Sequence, residues 1–459
     1  MLKKKRILIC ISTSYPLAKD DLSGHFVKRL NQIFIDQSVI QMDHIIILCL
    51  DRRSEFKQGF AEHSLEYYLA PTEIRLLPEL IEQGIQKIVI PISAFGLSSN
   101  LGAPDALSHS PLKSGVGLVL SMYRLWQAYR QLKHCVKSTA HQSYVLAHWA
   151  IPSALIARHD QALVYCHGGD VALLESLPFS SIWARYAFQS SKTVVCVSSD
   201  LKQRLEKLIF VSKKSQSKEL ITEPNTELNI EPNIEQQSTP LLKVIPMGID
   251  EPKPCSDTLL MLQDRTKGLI VVSTVGRLVP IKGYDLLLEA FAQLPKELTQ
   301  RIVWCMAGDG PEREPLVCGA KDHGLNLIAL GYIDRHQRDA LLAISDLFVA
   351  PSRQVGKRVE GAPLALREAA LSACRIIATD LGGVASLLDQ LPAEAITRVE
   401  ASVESIAQAL ESCLTKTMAS DQVDQEQQLL RNMQTQAQKL WTWKALTDEH
   451  VSTLVAHIN

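Results

Sequence analysis

The sequence lacks a charge excess: 49 acidic residues stand against 48 basic ones, so no global field draws this chain to nucleic acid. It also lacks any Cys-x-x-Cys, and none of its ten scattered cysteines joins a histidine at metal-ligand spacing. That pattern argues against a zinc module, and reduced, cytosolic thiols are the simplest reading. No apolar run approaches the roughly 20 residues needed to span a bilayer. Lys3-Lys4-Lys5-Arg6 imitates the start of a signal peptide, yet Ile7 to Ile11 is too short for its apolar region and no small-residue cleavage site follows. The segment reads as a first strand instead. What the chain does have is length: 459 residues exceed one ordinary core, and two or more domains are expected.

The most informative segment is Val359 to Ala370, in which Glu360 and Glu368 flank Gly361-Ala362-Pro363-Leu364. It follows a strand-like run, Asp346 to Ala350, and leads into a helical pattern, which is where open α/β sheets bind ligands. A helix start offers unpaired N–H groups to an anion, and carboxylates accept hydrogen bonds from hydroxyls, so a ligand carrying phosphate beside sugar hydroxyls suits the segment. Taken alone, the two glutamates read more readily as a solvated face. Upstream, the β-branched run from Ile270 ends in Gly276-Arg277-Leu278 and Lys282-Gly283, followed by the helical pattern Leu286, Leu287, Ala290, Phe291, Leu294. Arg277 and Lys282 at such a turn can clamp a diphosphate, one by a planar fork and one as a movable point charge, or they are surface cations. Weaker punctuation follows at Gly308-Asp309-Gly310-Pro311 and at Leu330-Gly331-Tyr332.

In this order the motifs resemble the nucleotide-binding half of the retaining glycosyltransferases of family 4. Pro351-Ser352, Glu360-Gly361-x-Pro363 with Glu368-Ala369, and Ala378-Thr379-Asp380-x-Gly382-Gly383 complete the match. The amino-terminal half is looser. Tyr15-Pro16, Gly24-His-Phe-Val27, Ala147-His148-Trp149-Ala150 and Cys166-His167-Gly168-Gly169-Asp170 look like segments of the teichuronic-acid and exopolysaccharide branch. The resemblance implies an α/β fold of two Rossmann-like doubly wound domains facing across a cleft, called GT-B. It implies a nucleotide-sugar donor, a saccharide or lipid-linked saccharide acceptor, and no cofactor or metal. Arg277 and Lys282 would meet charge on the departing diphosphate, Glu360 would hold donor sugar hydroxyls, and Glu368 would accept from the ribose. His167 matches a family position close to the donor sugar; the alternative is a histidine satisfied in a strand-end turn. Gly24, Gly276, Gly308, Gly310, Tyr332, Gly361, Ala362, Pro363 and Leu364 complete the expected donor site.

The expected layout is an acceptor-side domain at 1–211, a low-complexity insertion at 212–240 where Glu223-Pro-Asn225 recurs as Glu231-Pro-Asn233, a donor domain at 241–440, and a helix at 441–459 crossing back. Ser98 to Gly117, rich in Ser, Gly and Pro, reads as a loop. Met122, Leu125, Trp126, Tyr129, Leu132 and Val136 form a helical apolar stripe: a core helix with a basic outer face or, less favoured, a helix lying on the membrane. A cytoplasmic protein with a peripheral contact to the inner membrane is the expectation. Arg353, Lys357 and Arg358 either steer an anionic donor or solvate a loop. Three departures from the family pattern stand out: Ala373-Cys374-Arg375 replaces a Gly-x-Pro ending, Met247 replaces an Asn, and Arg367 occupies an apolar position where it could pair with a carboxylate. A non-catalytic relative with a decayed site is the chief rival reading. A hydrolase using the two glutamates as an acid/base pair leaves the cationic turn unexplained.

Overall fold

The computed structural model describes residues 5–13, 15, 25–37, 40, 42–51, 59–60, 66–93, 111–139, 141–210, 239–356, 359–361, 363–418 and 423–459. Gly24, Ala362, Lys357, Arg358, residues 98–110 and all but the end of the expected insertion lie outside these. The chain divides into two compact units, Met1–Ile245 with Thr447–Asn459, and Pro246–Leu446.

The first unit is built on strands β1 (Arg6–Ser12), β2 (His44–Asp51), β3 (Gly59–Phe60), β4 (Glu66–Tyr68), β5 (Lys87–Ser93), β6 (Gln142–His148), β7 (Leu163–Cys166), β8 (Thr193–Cys196) and β9 (Leu241–Val244). Their order is β3-β4-β5-β2-β1-β6-β7-β8-β9. All neighbours are parallel except β3 and β4. Central strands such as β1 and β2 are continuous runs of Ile, Leu and Cys, buried on both faces because helices cover both sides of a parallel sheet. β1 lies between β2 and β6, so the strand order reverses at the carboxyl ends of β1 and β6.

Three expectations shift. Leu241–Val244 pairs with β8, Thr193 against Leu241, so the first unit closes its sheet at Ile245 rather than ending at 211. The returning helix, Trp443–Ile458, rejoins the unit from Thr447, where His450 Nδ1 meets Tyr165 Oη at 3.0 Å. Residues 111–117 open the helix Pro111–Ser138 instead of a loop, with proline in the first turn, where its missing N–H has no intrahelical partner to lose. In that helix Leu125, Tyr129, Leu132 and Val136 are buried, as a core stripe requires.

The second unit carries β10 (Ile270–Val275), β11 (Ile302–Ala307), β12 (Leu327–Gly331), β13 (Leu347–Ala350), β14 (Arg375–Thr379) and β15 (Ile396–Val399). The order β12-β11-β10-β13-β14-β15 is wholly parallel. Trp304 and Phe291, rings 5.5 Å apart, join this sheet to the helix Tyr284–Gln293. Here the order reverses between β10 and β13.

Candidate functional site

At that reversal, two strand ends bring together residues far apart in sequence. After β10 the chain turns at Gly276, whose φ of 155° suits only glycine, and a Cβ there would lie 2.9 Å from Tyr284 Oη and 3.3 Å from Lys282 Cε. The missing side chain lets Lys282 fold back over the strand end. Its Nζ pairs with Glu360 Oε1, while Ser352 Oγ, just past β13, donates to Glu360 Oε2. Ser352 is itself fixed, since Thr379 Oγ1 donates to its carbonyl at 2.6 Å. Both oxygens of the Glu360 carboxylate are therefore held, one from each side of the switch point.

Backbone seats this arrangement. Gly383 N–H donates to Glu360 O at 3.0 Å, and a Cβ on Gly383 would stand 1.3 Å from Gly361 O, so the loop rests directly on the start of the helix Gly382–Leu388. Gly308 and Gly310 lie in the adjoining turn after β11, which is tied to the first by a Leu278 N–H bond to Asp309 O at 2.8 Å. Tyr332, exposed, follows the end of β12. Pro363 caps the helix Leu364–Leu371 and is buried, whereas Leu364 is exposed.

Arg277 and Lys282 are placed unlike each other. Arg277 is exposed and makes no ion pair among the described residues, while Lys282 is largely buried against Glu360. Glu368 sits on the helix Leu364–Leu371 and is buried; Arg338 Nη1 meets its Oε1 at 2.9 Å. Burial raises the Glu368 pKa despite the neighbouring Arg338. Arg338 also bonds Asp339 Oδ1 at 3.0 Å and leaves its own Nε buried without a partner.

Among the described residues Arg367 pairs with no carboxylate, the partner that the sequence left open to it. Its Nη1 donates to Met247 O at 3.1 Å and its guanidinium lies 5.6 Å over the Trp441 ring. Burial lowers its pKa to about 10. The bond is to the Met247 backbone, so it does not depend on the side chain at 247. Arg353 is bound to Asp285 Oδ2 at 2.7 Å and to Pro280 O, so it braces the cationic turn. Arg375, where the family ending has proline, pairs with Glu426 at 2.6 Å.

In the first unit His167 and His148 meet, Nε2 to Nδ1, at 2.9 Å with their rings stacked 5.2 Å apart. Burial holds His167 down at about 3 and His148 well below the ordinary range, so both are neutral at pH 7 and one proton lies between them. Phe26 and Trp149 pack on His167 with centroids at 4.6 and 4.7 Å. Asp170 fixes the turn: its Oδ1 accepts from the N–H of Gly168 and His167, its Oδ2 from Ala150 N–H. His148, for which core packing was the favoured reading, is fully buried and is also the partner of His167.

Sequence reasoning missed the Ser352 and Arg338 contacts, and a buried cluster in the first unit. There Glu66, at 3% exposure, is bound by Lys87 Nζ at 2.8 Å, Lys28 Nζ at 3.1 Å and Tyr15 Oη at 2.8 Å. Burial would raise the Glu66 pKa, but the two lysines hold it below the usual range.

Residues 263–438, which include the whole Lys282–Glu360 site, match the family model of glycosyl transferases group 1. This segment is similar to the group 1 glycosyl transferases. A putative teichuronic acid biosynthesis glycosyltransferase, TuaC of Bacillus subtilis (strain 168), is 39% identical over 142 residues, which are 28% of this chain and 32% of that protein. The match thus spans about a third of the length of this curated relative. Among solved structures, Anabaena Alr3699/HepE in complex with UDP and glucose aligns over 98% of this chain and 100% of its own at 15% identity, TM-score 0.60. Sucrose-phosphate synthase from Thermosynechococcus elongatus aligns over 98% and 99% at 15% identity, TM-score 0.66. At such identities the likeness is one of fold, and the fold is the expected α/β pair of doubly wound units. The sequence resemblance to the teichuronic-acid branch is met by a relative of that name.

Proposed function

We propose that the protein is a retaining, metal-independent glycosyltransferase of family 4, moving a hexose from a nucleotide-sugar donor to a growing cell-surface polysaccharide or lipid-linked saccharide. The observation that carries this reading is the Lys282–Glu360–Ser352 cluster at the topological switch point of the segment that matches the group 1 glycosyl transferases. A carboxylate whose two oxygens are already bound is oriented before any ligand arrives, and orientation fixed in advance costs no reorganisation during reaction. HepE, whose structure holds UDP and glucose, and TuaC, named for teichuronic acid biosynthesis, support the choice of a nucleotide-sugar donor and a saccharide acceptor.

The chemistry follows from charge. As the anomeric carbon parts from the diphosphate oxygen, the sugar gains oxocarbenium character and the diphosphate takes the electron pair. Cations that meet this charge stabilise the transition state more than the bound donor, which is what accelerates a step. Lys282, a point charge with three donors, keeps its contact with Glu360 and turns another N–H toward the diphosphate, and Arg277, exposed, closes on it from solvent. Glu360, still held, accepts from donor hydroxyls on its remaining lone pairs, and Glu368 from the ribose. The acceptor hydroxyl attacks from the leaving-group side and passes its proton to the departing phosphate oxygen, so no protein nucleophile is needed. Neutral His167, its tautomer set by His148, is a hydrogen-bond partner for a sugar hydroxyl and not a cation.

The test is a thermal-shift screen against nucleotide sugars, beginning with UDP-glucose, followed by assay of nucleotide release with and without saccharide acceptor in chelator. A ligand at a hundred times its Kd adds about 2.7 kcal/mol of stability. Acceptor-dependent release in chelator with retained anomeric configuration is expected. Binding without release from any donor favours the non-catalytic reading, and activity restored only by magnesium or manganese overturns the metal-free one.

A further inference from the structure

Arg338 lies on the helix Arg335–Ala343 and meets Glu368 on the neighbouring helix, Nη1 to Oε1 at 2.9 Å. Its place is fixed from several directions. A capping box sets the start of its helix: Asp334 Oδ1 accepts from Gln337 N–H, and Gln337 Oε1 from Asp334 N–H, both at 2.9 Å. Arg338 Nη2 donates to Asp339 Oδ1 at 3.0 Å, and Asp339 Oδ2 accepts the backbone N–H of Lys253 at 2.8 Å. The other charged neighbours of Glu368 are Arg335 and, on its own helix, Arg367. Arg335 has its own carboxylate in Asp250 at 2.7 Å, and Arg367 turns to Met247 O. Arg338 is thus the guanidinium that Glu368 touches among the described residues.

Stability does not account for this pair. Arg338 Nε is buried without a partner among the described residues, and Glu368 is buried where desolvation works against its charge. An unmet buried donor costs stability, and apolar residues often replace buried ion pairs without loss. What the contact does fix is geometry. A guanidinium gripping one carboxylate oxygen sets the rotation of the whole group and leaves the second oxygen to a ligand. The Glu368 side chain keeps 10% of its surface open, so a ligand can reach it. Lys282 stands to Glu360 as Arg338 stands to Glu368: in each case one cation holds a carboxylate of the same loop-and-helix segment.

We propose that Arg338 is a positioning residue for the ribose of the nucleotide: it grips Glu368 Oε1 so that Oε2 is aimed at the ribose hydroxyls. This role depends on the reading of Glu368 as their acceptor. The guanidinium does not itself touch the ribose. It offsets the burial of the carboxylate and stops its rotation, so the ribose meets a group already in place and less ordering is left for binding to supply. A ligand without those hydroxyls gains nothing from Arg338. Recognition of ribose, and not of phosphate or of the transferred sugar, is therefore what the residue controls.

The experiment is calorimetric titration of the full chain with UDP, GDP and ADP, each beside its 2′,3′-dideoxy form. The parent should bind at least one ribonucleotide about 10–100-fold tighter than its dideoxy form, the range for hydrogen bonds to a charged group. Arg338→Met should bring that ratio to about 2-fold or less by weakening the ribonucleotide alone. Arg338→Lys, which keeps the charge without the planar fork, should fall between. A purely structural role would weaken both forms together. The proposal is overturned if Arg338→Met keeps the parental ratio, loses both forms equally, or binds the ribonucleotide more tightly, as release of a blocking contact would. Should Arg338→Met fail to fold, Arg338→Lys carries the test, and a parental ratio there overturns the proposal. A parent that binds a diphosphate but does not distinguish the dideoxy form removes the reading of Glu368 and this role with it. A parent that binds none of the three removes the donor reading as well.

Discussion

The Lys282–Glu360 cluster of the second unit and the Glu66–Lys87 cluster of the first are held in opposite ways. In the second unit's cluster the charged residues stand on turns beyond the strand ends, where glycines let backbone approach backbone and Lys282 and Glu360 stay partly open to solvent. In the first, Glu66, Lys87 and His148 lie under helices or between strands, each below a tenth exposed. The turn chemistry of the second unit is local in sequence and therefore leaves motifs. The buried chemistry of the first is assembled by sheet register and leaves almost none. The same difference governs what each residue does when removed: a buried ion defends the fold, and a turn ion is free to act on a ligand.

The largest expected effect tests the buried half of this contrast. Glu66→Ala leaves Lys87 and Lys28 facing each other with no carboxylate, and breaking a buried ion pair from one side costs about 3–5 kcal/mol. Chemical denaturation should show that loss. Pairing Glu66→Gln with Lys87→Met should recover much of it, since the uncompensated charge is gone. A Glu66→Ala chain as stable as the parent would mean that water reaches the cluster.

Next come the two cations of the turn. Lys282→Ala and Arg277→Ala should each lower turnover about 10²–10³-fold, by analogy with removal of one oxyanion-hole donor. They should differ in stability. Arg277 is exposed and unpaired among the described residues, so its loss should stay within about 0.5 kcal/mol, whereas losing Lys282 strands a held carboxylate and should cost about 1–3 kcal/mol. Equal stability in the two variants would remove the distinction between them, and parental turnover in either would remove the clamp.

These cases show what sequence could and could not carry. The strands β1, β2, β5, β10 and β11 were legible as apolar runs, and Glu360, Lys282 and their turns were legible because each motif is a few residues long. Ser352 stood in plain view, but its bond to Glu360 depends on how the ends of β13 and its following loop meet. Glu66 lies on a three-residue strand, too short for any period to show, and it finds Lys87 only through the register of β4 on β5. The apolar stripe at Met122 to Val136 shows its helical spacing in sequence; whether such a stripe faces core or solvent depends on what packs above it, which periodicity does not contain.

Acid should separate the units more gently. His167 and His148 have lowered pKa values, so below about pH 6.5 the unfolded chain takes up protons that the folded unit refuses, and stability falls by up to about 1.4 kcal/mol per pH unit per imidazole toward pH 3. Glu368 has the opposite sign. Its raised pKa means the folded second unit binds a proton before the unfolded chain does, which adds stability as pH falls toward the ordinary carboxylate range. Hydrogen exchange between pH 6.5 and 4.5 should therefore show protection falling first around β6 and β7. A uniform loss across both sheets would contradict the assignment, and His167→Gln should reduce the slope in the first unit only.

The smallest effect is a gain. The helix Leu364–Leu371 ends with Ala373 N–H on Ala370 O and Cys374 N–H on Ala369 O, the paired bonds of a Schellman ending, and Ala373 sits at its left-handed position with φ of 58°. This is the position where the family pattern has glycine and this chain does not. Alanine there places its Cβ against the backbone at a cost of about 1–2 kcal/mol, while glycine returns part of that as extra freedom of the unfolded chain. Ala373→Gly should therefore stabilise the second unit by about 0.5–1 kcal/mol, a rise in melting temperature of about 1–3 °C for a unit of this size. Glu368, one turn back on the same helix, keeps its bond to Arg338, so turnover should not change. If melting temperature falls instead, the alanine methyl must make packing contacts worth more than the backbone strain, and the missing glycine would be an adaptation of this chain's own helix ending and not a tolerated loss.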